Sequence, residues 1–236
     1  MKPPYSLALL TDPPTWRGTA LSGRPLDLLA VLAASPQTRV SDDILIEALW
    51  PDDVPARPLR ALHVVVSRVR AVVGEGVVER LGDGYRLALP AAQIDVCDLA
   101  DRAERARTRA VEGQWDQVLV LTGSLPQVPA HCEAGDAVGA GPAPLSRLRE
   151  RAVALAEAAR CDRGLALEAT GEHERAAELL REAAQRDAGD EIVLAALMRA
   201  ESWARSPAAA LEIYEQYRRR LRDRGAVPGP ALRAAH

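Results

Sequence analysis

The segment LRALHVVVSRVRAVVG, residues 59–74, constrains the fold more than any other part of the chain. It is rich in valine, which favours strands, yet strict alternation would send Val64, Val65 and Val66 to both faces of a sheet. On a helix, one broad face is apolar. Its members are Leu59, Leu62, Val65, Val66, Val69, Val72 and Val73. The segment therefore predicts an amphipathic helix of about five turns.

The opposite face of this predicted helix is cationic. It carries Arg57, Arg60, Val64, Ser67, Arg68 and Ala71, with His63 and Arg70 at its flanks. A surface helix usually mixes both signs of charge, whereas a stripe of arginine, serine and small residues without any acid suits a phosphate backbone. A plain solvated helix face is the alternative interpretation.

The neighbouring segments predict a complete small domain. Two β-rich runs, residues 77–81 and 85–89, flank Gly82-Asp83-Gly84, which is a hairpin signal. Two further helical patterns precede the basic helix, and Ser41 begins the second one as an N-cap. That second helix is expected to bury Ile44, Leu45, Ala48 and Leu49, and short strands are expected over residues 5–12 and 17–23. This order predicts a winged helix-turn-helix, whose third helix enters a DNA major groove.

Charge qualifies this prediction. The net charge is −3, and residues 1–90 contain ten basic and ten acidic side chains. Residues 57–74, however, hold four arginines and no acid. We therefore expect few phosphate contacts, modest affinity per subunit, and binding by a dimer or by two copies side by side.

The character of the chain changes at Ile94, from which point it is alanine-rich and helical. Ala176 and Leu180 recur 34 residues later as Ala210 and Tyr214, which is the tetratricopeptide period. Generic helical hairpins remain the alternative. The predicted fold class is mainly α: an N-terminal winged helix-turn-helix followed by an all-α, tetratricopeptide-like helical domain. Residues 122–144, rich in Gly, Pro and Ala, are expected to form a mobile loop.

Two stretches resemble a known family. Residues 41–74, SDDILIEALWPDDVPARPLRALHVVVSRVRAVVG, followed by LGDGYRL, are similar to the Streptomyces antibiotic regulatory proteins (SARPs), which begin with an OmpR-type winged helix. The closing YEQYRRRLRDRGAVPGPALRAAH resembles the end of the bacterial transcriptional activation domain that follows in SARPs. His63, Val64 and Val65 depart from the family's usual Gln, Thr and Tyr.

The resemblance implies an OmpR-type winged-helix DNA-binding domain over residues 1–90 and a bacterial transcriptional activation domain over residues 94–236. It implies an actinobacterial, sequence-specific activator of a secondary-metabolite (antibiotic) gene cluster. Such an activator binds double-stranded DNA at direct repeats near promoters and recruits RNA polymerase holoenzyme. We expect it in the cytoplasm at the nucleoid, without a membrane partner. A larger natural protein carrying an NTPase module is also expected, as in larger family members.

The candidate DNA-binding residues follow from the helix and the wing. The recognition-helix set is Arg57, Arg60, His63, Val64, Ser67, Arg68 and Arg70, and the wing set is Arg80, Tyr85 and Arg86. The loop of residues 50–58 is expected to be a rigid turn, because three prolines shape it. By analogy with related winged helices, its Trp50, Asp52 and Asp53 are candidate polymerase contacts.

Catalysis finds no support in the sequence. The sole lysine is Lys2, and no phosphate-binding Gly-x4-Gly-Lys-Ser/Thr loop is present. Cys97, Cys132 and Cys161 lie far apart without a Cys-x-x-Cys pair, so neither a zinc site nor a disulfide framework is indicated. We expect no catalytic residues, no metal and no cofactor. The alternative to a DNA-binding activator is a helical-repeat interaction scaffold whose winged helix mediates protein contacts.

Overall fold

The structure is a computed structural model that describes residues 5–129, 143–222 and 225–235. Internal contacts divide the chain into two compact units. The first unit takes Met1–Asp101 and Pro126–Leu155, and the second takes Arg102–Leu125 and Ala156–His236.

The first unit opens with a small antiparallel sheet. Strands β1 (Leu7–Ala8), β2 (Thr15–Trp16) and β3 (Thr19–Ala20) lie in the order β1-β2-β3. Arg17 and Gly18 join β2 to β3 with positive φ angles of 47° and 88°, the signs that a type I′ hairpin turn requires. The sequence-based prediction missed β2, because this strand is only two residues long and follows two prolines.

Three helices form the body of the first unit. They are α1 (Gly23–Ala33), α2 (Asp42–Leu49) and α3 (Pro58–Val73), and each contacts the other two. Ser41 is the N-cap of α2 as predicted, since its hydroxyl accepts a hydrogen bond from the Ile44 amide at 3.4 Å. Fully buried leucines fill the space between the helices. These are Leu28, Leu29, Leu32, Leu45, Leu49 and Leu62.

The buried faces of α2 and α3 are narrower than predicted. Ile44 is 54% exposed, Leu59 52% and Val72 47%, so the expectation that they pack inside is wrong. In α2 the core face consists of Asp42, Leu45 and Leu49, and Ile44 lies beside that row. A helix against one small core buries only one stripe, and these three side chains lie outside it.

A second sheet forms the wing. Strands β4 (Val40–Ser41), β5 (Val78–Leu81) and β6 (Gly84–Leu87) lie in the antiparallel order β4-β6-β5, and Gly82-Asp83 turns the hairpin. The predicted hairpin is confirmed with shorter strands. Gly84 lies so close to β4 that a Cβ atom there would be 2.2 Å from the Val40 carbonyl oxygen, so no side chain fits at this position.

A buried carboxylate joins the first sheet to α4 (Asp95–Val111). Asp95 is 2% exposed, and its oxygens accept hydrogen bonds from the amides of Leu9, Leu10 and Val96 at 2.8–2.9 Å. Burial raises the pKa of Asp95, and these three amides partly offset that effect. The first turn of α4 is thereby tied to the chain directly after β1.

The second unit is helical. It contains α5 (Trp115–Thr122) and the later part of α6 (Pro144–Ala169), followed by α7 (His173–Arg186), α8 (Glu191–Ala204), α9 (Pro207–Arg222) and α10 (Pro230–Ala235). Helices α7 and α9 begin 34 residues apart, the predicted repeat period. Ala176 and Ala210, the fourth residues of these helices, are both buried. Helix α8 lies between them and contacts α7, α9 and α10.

Buried and half-buried acids in the second unit pair with arginines. Asp162 accepts from Arg107 at 2.8 Å, and Glu168 pairs with Arg199 at 2.8 Å. Glu201, 2% exposed, accepts from Arg181. Because a buried carboxylate is costly without a partner, these pairs fix the packing of the helices that carry them.

The predicted fold class is confirmed: a winged helix of mixed α and β elements followed by a helical region. The predicted loop of residues 122–144 cannot be compared in full, because residues 130–142, which include Cys132, lie outside the described residues. Within the described ranges, no helix is both long and apolar enough to cross a bilayer.

Candidate nucleic-acid interface

The exposed face of α3 carries most of the residues singled out in the sequence. Pro58 at the first helical position starts the helix, and its first turn contains no acid. Leu62, Val65, Val66, Val69 and Val73 are buried on the core side. The exposed residues on or next to the other side are Arg57, Arg60, His63, Val64, Ser67 and Arg68. The structure therefore brings these six side chains together on one solvent-facing surface.

The arginines of this surface are exposed to solvent. Among the residues that the structure describes, none offers the side chains of Arg57, Arg60 or Arg68 a hydrogen bond or an ion pair. A guanidinium without an acid beside it keeps its full charge and all five donors available for a phosphate or a base edge. Val64, which is 45% exposed, lies among them as an apolar contact surface.

A groove of about 670 Å³ lies between α3 and the wing hairpin. It is lined on the helix side by His63, Ser67 and Arg70, and on the wing side by Arg80 and Tyr85. Glu75 is the acid in this lining. The exposed face of α3 thus continues into this open groove, whose charged lining residues are mainly basic.

The wing is clamped to the helices by a stack of side chains. The Tyr85 ring, 4% exposed, has the Arg80 guanidinium 4.7 Å and the Arg70 guanidinium 5.9 Å from its centroid. Arg80 donates both terminal nitrogens to the Asp42 carboxylate at 2.8 Å, and Arg70 donates its Nε to the Val78 carbonyl at 2.9 Å. Hydrogen bonding to Asp42 raises the pKa of Arg80. Cation–π contacts and a two-pronged ion pair therefore hold the hairpin in position.

The remaining arginines of the wing are also paired. Arg86 donates to Glu79 on the neighbouring strand at 2.7 and 2.9 Å. Arg39 forms an ion pair with Asp83 at the hairpin tip, where both side chains are exposed. Of the sequence-predicted set, Arg70, Arg80, Tyr85 and Arg86 thus have contacts inside the molecule, and a DNA contact by any of them stays a prediction.

Two residues of this region escaped the sequence reasoning. Asp42, which follows the N-cap of α2, is 8% exposed and accepts hydrogen bonds from Arg80, 38 positions along the chain. Arg39 carried no motif signal at all. Nothing local in the sequence indicates either pairing, because both depend on how the hairpin folds back toward α2.

The turn after α2 presents the three candidate polymerase-contact residues. Trp50 is half-buried, with the Arg24 guanidinium 5.7 Å from its ring centroid. Asp52 and Asp53 are exposed. The acidic pair therefore faces solvent on a turn that the tryptophan anchors.

Other chemistry has little to build on. Among the described residues, no group of three or more His, Cys, Asp or Glu side chains could hold a metal ion. Burial raises the pKa of the Cys97 and Cys161 thiols to about 11. Both thiols are therefore protonated and weakly nucleophilic at neutral pH.

Two family models match the chain. Residues 17–87 match the family described as "Transcriptional regulatory protein, C terminal", and residues 131–236 match the "Bacterial transcriptional activator domain". These two domains, in this order, are those of a SARP family regulator. The resemblance of the chain to SARPs is thereby confirmed.

Curated relatives match part of the chain. "Regulatory protein AfsR" of Streptomyces griseus is 32% identical over 100 residues, which is 39% of this chain and 10% of that protein. "Regulatory protein AfsR" of Streptomyces coelicolor is 34% identical over 101 residues, again 39% of this chain and 10% of that protein. The match to this chain thus covers about a tenth of the length of these curated relatives.

A solved structure has the same fold as this chain. Mycobacterium tuberculosis EmbR, in complex with a low affinity phosphopeptide, superposes with a TM-score of 0.73 at 24% identity. The match covers 98% of this chain and 64% of that chain. At this identity the likeness is one of architecture, and it agrees with a winged helix followed by a helical domain.

Proposed function

We propose that this regulator activates a secondary-metabolite gene cluster by binding direct repeats near its promoters and recruiting RNA polymerase holoenzyme. It acts by binding rather than by catalysis, in the cytoplasm at the nucleoid. The observation that carries the proposal is the exposed face of α3, where three arginines that have no partner among the described residues surround Val64 and Ser67. A helix of this kind fits a major groove, which displays a distinct pattern of groups for each base pair.

Each side chain on this face has a proposed role. Arg60, Val64 and Ser67 lie nearest the bases, where arginine suits a guanine edge and valine a thymine methyl group. Arg57 and Arg68 hold phosphates. His63, at the edge of the groove beside the wing, contacts a phosphate or a guanine edge.

The wing has a positional role in this proposal. Its arginines are bound to Asp42, Glu79 and Asp83, so most of their charge is already neutralised within the protein. A clamped hairpin holds its backbone and tip against the DNA backbone, and it orients α3 with little loss of entropy on binding. The phosphate contacts proposed for Arg70, Arg80 and Arg86 are secondary to those of Arg57 and Arg68.

Near-neutral charge argues for more than one copy on DNA. A single α3 offers few free cations, and each released counterion adds only modestly to affinity. Two copies on direct repeats double the number of contacts. The exposed Asp52 and Asp53, beside the anchored Trp50, are the proposed polymerase-facing surface.

A gel-shift titration at two salt concentrations tests the proposal on promoter fragments that neighbour the gene. We expect binding that requires the repeats and weakens at higher salt. Arg60→Ala and Arg68→Ala should each reduce affinity about tenfold, as loss of a base or phosphate contact does. Arg160→Ala is the matched control, because Arg160 is also exposed on a helix but lies far along the chain in α6.

Binding that is absent, or equal in the wild type and both α3 variants, would contradict the proposal. The helical-repeat scaffold would then be the better description of the chain. Retained binding with no effect on transcription after Asp52→Ala and Asp53→Ala would remove only the assignment of the polymerase-facing surface.

A further inference from the structure

An apolar cleft of about 450 Å³ lies within the first unit, away from the exposed face of α3. Its walls are the last turn of α1, Ala48 of α2, the first two turns of α4 and the first three turns of α6. The lining residues from α1 and α4 are Ala30, Val31, Ala33, Ala34, Val96, Cys97 and Ala100. Those from α6 are Pro144, Arg147, Leu148, Arg151, Ala152 and Leu155.

The interior of this cleft offers hydrophobic contact and few hydrogen bonds. Its walls are mainly alanine and branched aliphatic side chains. The Cys97 thiol, the polar group in its α4 wall, already donates to the Ala33 carbonyl at 3.3 Å. Helices normally interdigitate without gaps of this size, so small residues here leave room that an apolar molecule of a few carbon atoms can fill.

The rim of the cleft is positively charged. Arg147 and Arg151 lie four positions apart, so they extend from the same face of α6. Both are exposed, and neither has an ion pair or side-chain hydrogen bond to another residue in the described ranges. The lining contains no Asp or Glu. Such a rim selects against a cation and leaves a neutral apolar molecule without a polar anchor.

We propose that this cleft binds a small amphiphilic carboxylate, with its aliphatic tail between α1, α4 and α6 and its carboxylate at Arg147 and Arg151. Two guanidinium groups one helical turn apart can both donate to a single carboxylate. The tail replaces water against alanine, valine and leucine side chains, which supplies the hydrophobic part of the affinity. Since α1 and α2 belong to the winged helix, the ligand contacts the body that carries α3.

Isothermal titration of the full chain with octanoate and with octanol, without DNA, tests this site. The two probes share one tail and differ in charge. We expect octanoate to bind at one site and octanol to bind about tenfold more weakly, because it lacks the charge-assisted hydrogen bonds. The absence of DNA keeps this result independent of the proposed DNA-binding function.

Variants separate the rim from the cavity. The double variant Arg147→Gln/Arg151→Gln should weaken octanoate about tenfold, to the level of octanol, and leave octanol binding unchanged. Ala100→Leu, at a half-buried wall position, should abolish binding of both probes by filling the cleft. If Ala100→Leu lowers the helical circular dichroism signal, Ala34→Leu at the exposed end of α1 fills the same space.

Arg160→Gln is the control for the rim, since it removes an exposed arginine from the same helix outside the cleft. It should bind octanoate like the wild type. The proposal is overturned if the wild type shows no saturable octanoate binding, if octanol binds equally well, or if the double variant keeps the wild-type affinity.

Discussion

The winged helix and the helical region use arginine in opposite ways. On or next to α3, Arg57, Arg60 and Arg68 face solvent, and within the described ranges their side chains have no hydrogen-bond or ion-pair partner. In the helical region, Arg107 and Arg181 neutralise carboxylates that are only 3% exposed. The same residue type therefore marks the proposed binding surface where it is free and a packing constraint where it is paired. What separates the two uses is whether an arginine has a partner, and not how many arginines a region contains.

Breaking a structural pair should give the largest effect on stability. Arg107→Ala leaves Asp162 buried without its partner, and we expect the free energy of unfolding to fall by about 2–3 kcal/mol. This loss of unfolding free energy lies at or below the usual range for breaking a buried ion pair, because the Arg107 side chain is itself 64% exposed. Urea unfolding followed by circular dichroism measures the change, with Arg160→Ala as a control expected within about 0.5 kcal/mol.

The same variant should show a characteristic pH dependence. Burial raises the folded-state pKa of Asp162 above its ordinary 3.8, and Arg107 opposes that rise. Without Arg107 the pKa rises further, and a protonated Asp162 no longer needs a cation. The deficit should therefore be full at neutral pH and shrink as the pH falls through the folded-state pKa towards 3.8. A deficit independent of pH would exclude Asp162 as the cause.

The pair between Asp42 and Arg80 extends the comparison, because it is a structural pair within the winged helix. Asp42→Asn should lower the free energy of unfolding by about 1–2 kcal/mol, since it weakens a two-pronged bond at a buried acid. Asp43→Asn is the matched control: Asp43 is the next residue, exposed in the same turn. Equal loss in both variants would mean that helix-end charge, and not the clamp, is responsible.

Free residues on α3 should affect DNA binding and leave stability unchanged. Arg68→Ala should reduce the slope of log affinity against log salt by about one unit, as removal of one phosphate contact does. Val64→Ala should keep the slope and lose about 1 kcal/mol at its preferred base pair alone. Gel shifts at several salt concentrations with single-base operator variants distinguish the two, and identical slopes for wild type and Arg68→Ala would contradict the phosphate role.

The smallest effect should come from an exposed aromatic residue of the helical region. Trp203 is 77% exposed and stacks on His173, with ring centroids 5.7 Å apart. Trp203→Ala should lower the free energy of unfolding by less than about 1 kcal/mol, because the stack contributes little and most of the ring remains in water. DNA affinity should stay the same. Loss of DNA binding in this variant would show that exposed residues of the helical region also affect DNA binding.

Local sequence signals predicted the elements, and long-range contacts determined what was missed. The N-cap at Ser41 and the Gly82-Asp83 turn depend only on neighbouring residues, so the sequence predicted both. The 34-residue period was found by comparing two segments of the sequence with each other. Ile44, Leu59 and Val72 were placed inside because periodicity gives the direction of a side chain and not the width of the core. Asp42 with Arg80 and Asp162 with Arg107, pairs 38 and 55 positions apart, depend on the folded arrangement.

Gly84 has a consequence for anyone who seeks to redesign the wing of this protein. The Val40 carbonyl oxygen lies 2.2 Å from where a Cβ would stand, so the base of the wing admits one amino acid only. Gly82, at the tip, has open space around its Cβ position, although its φ of 56° favours glycine. A library that randomises the hairpin should therefore keep Gly84 invariant and vary the tip around Asp83, where diversity is compatible with a foldable domain.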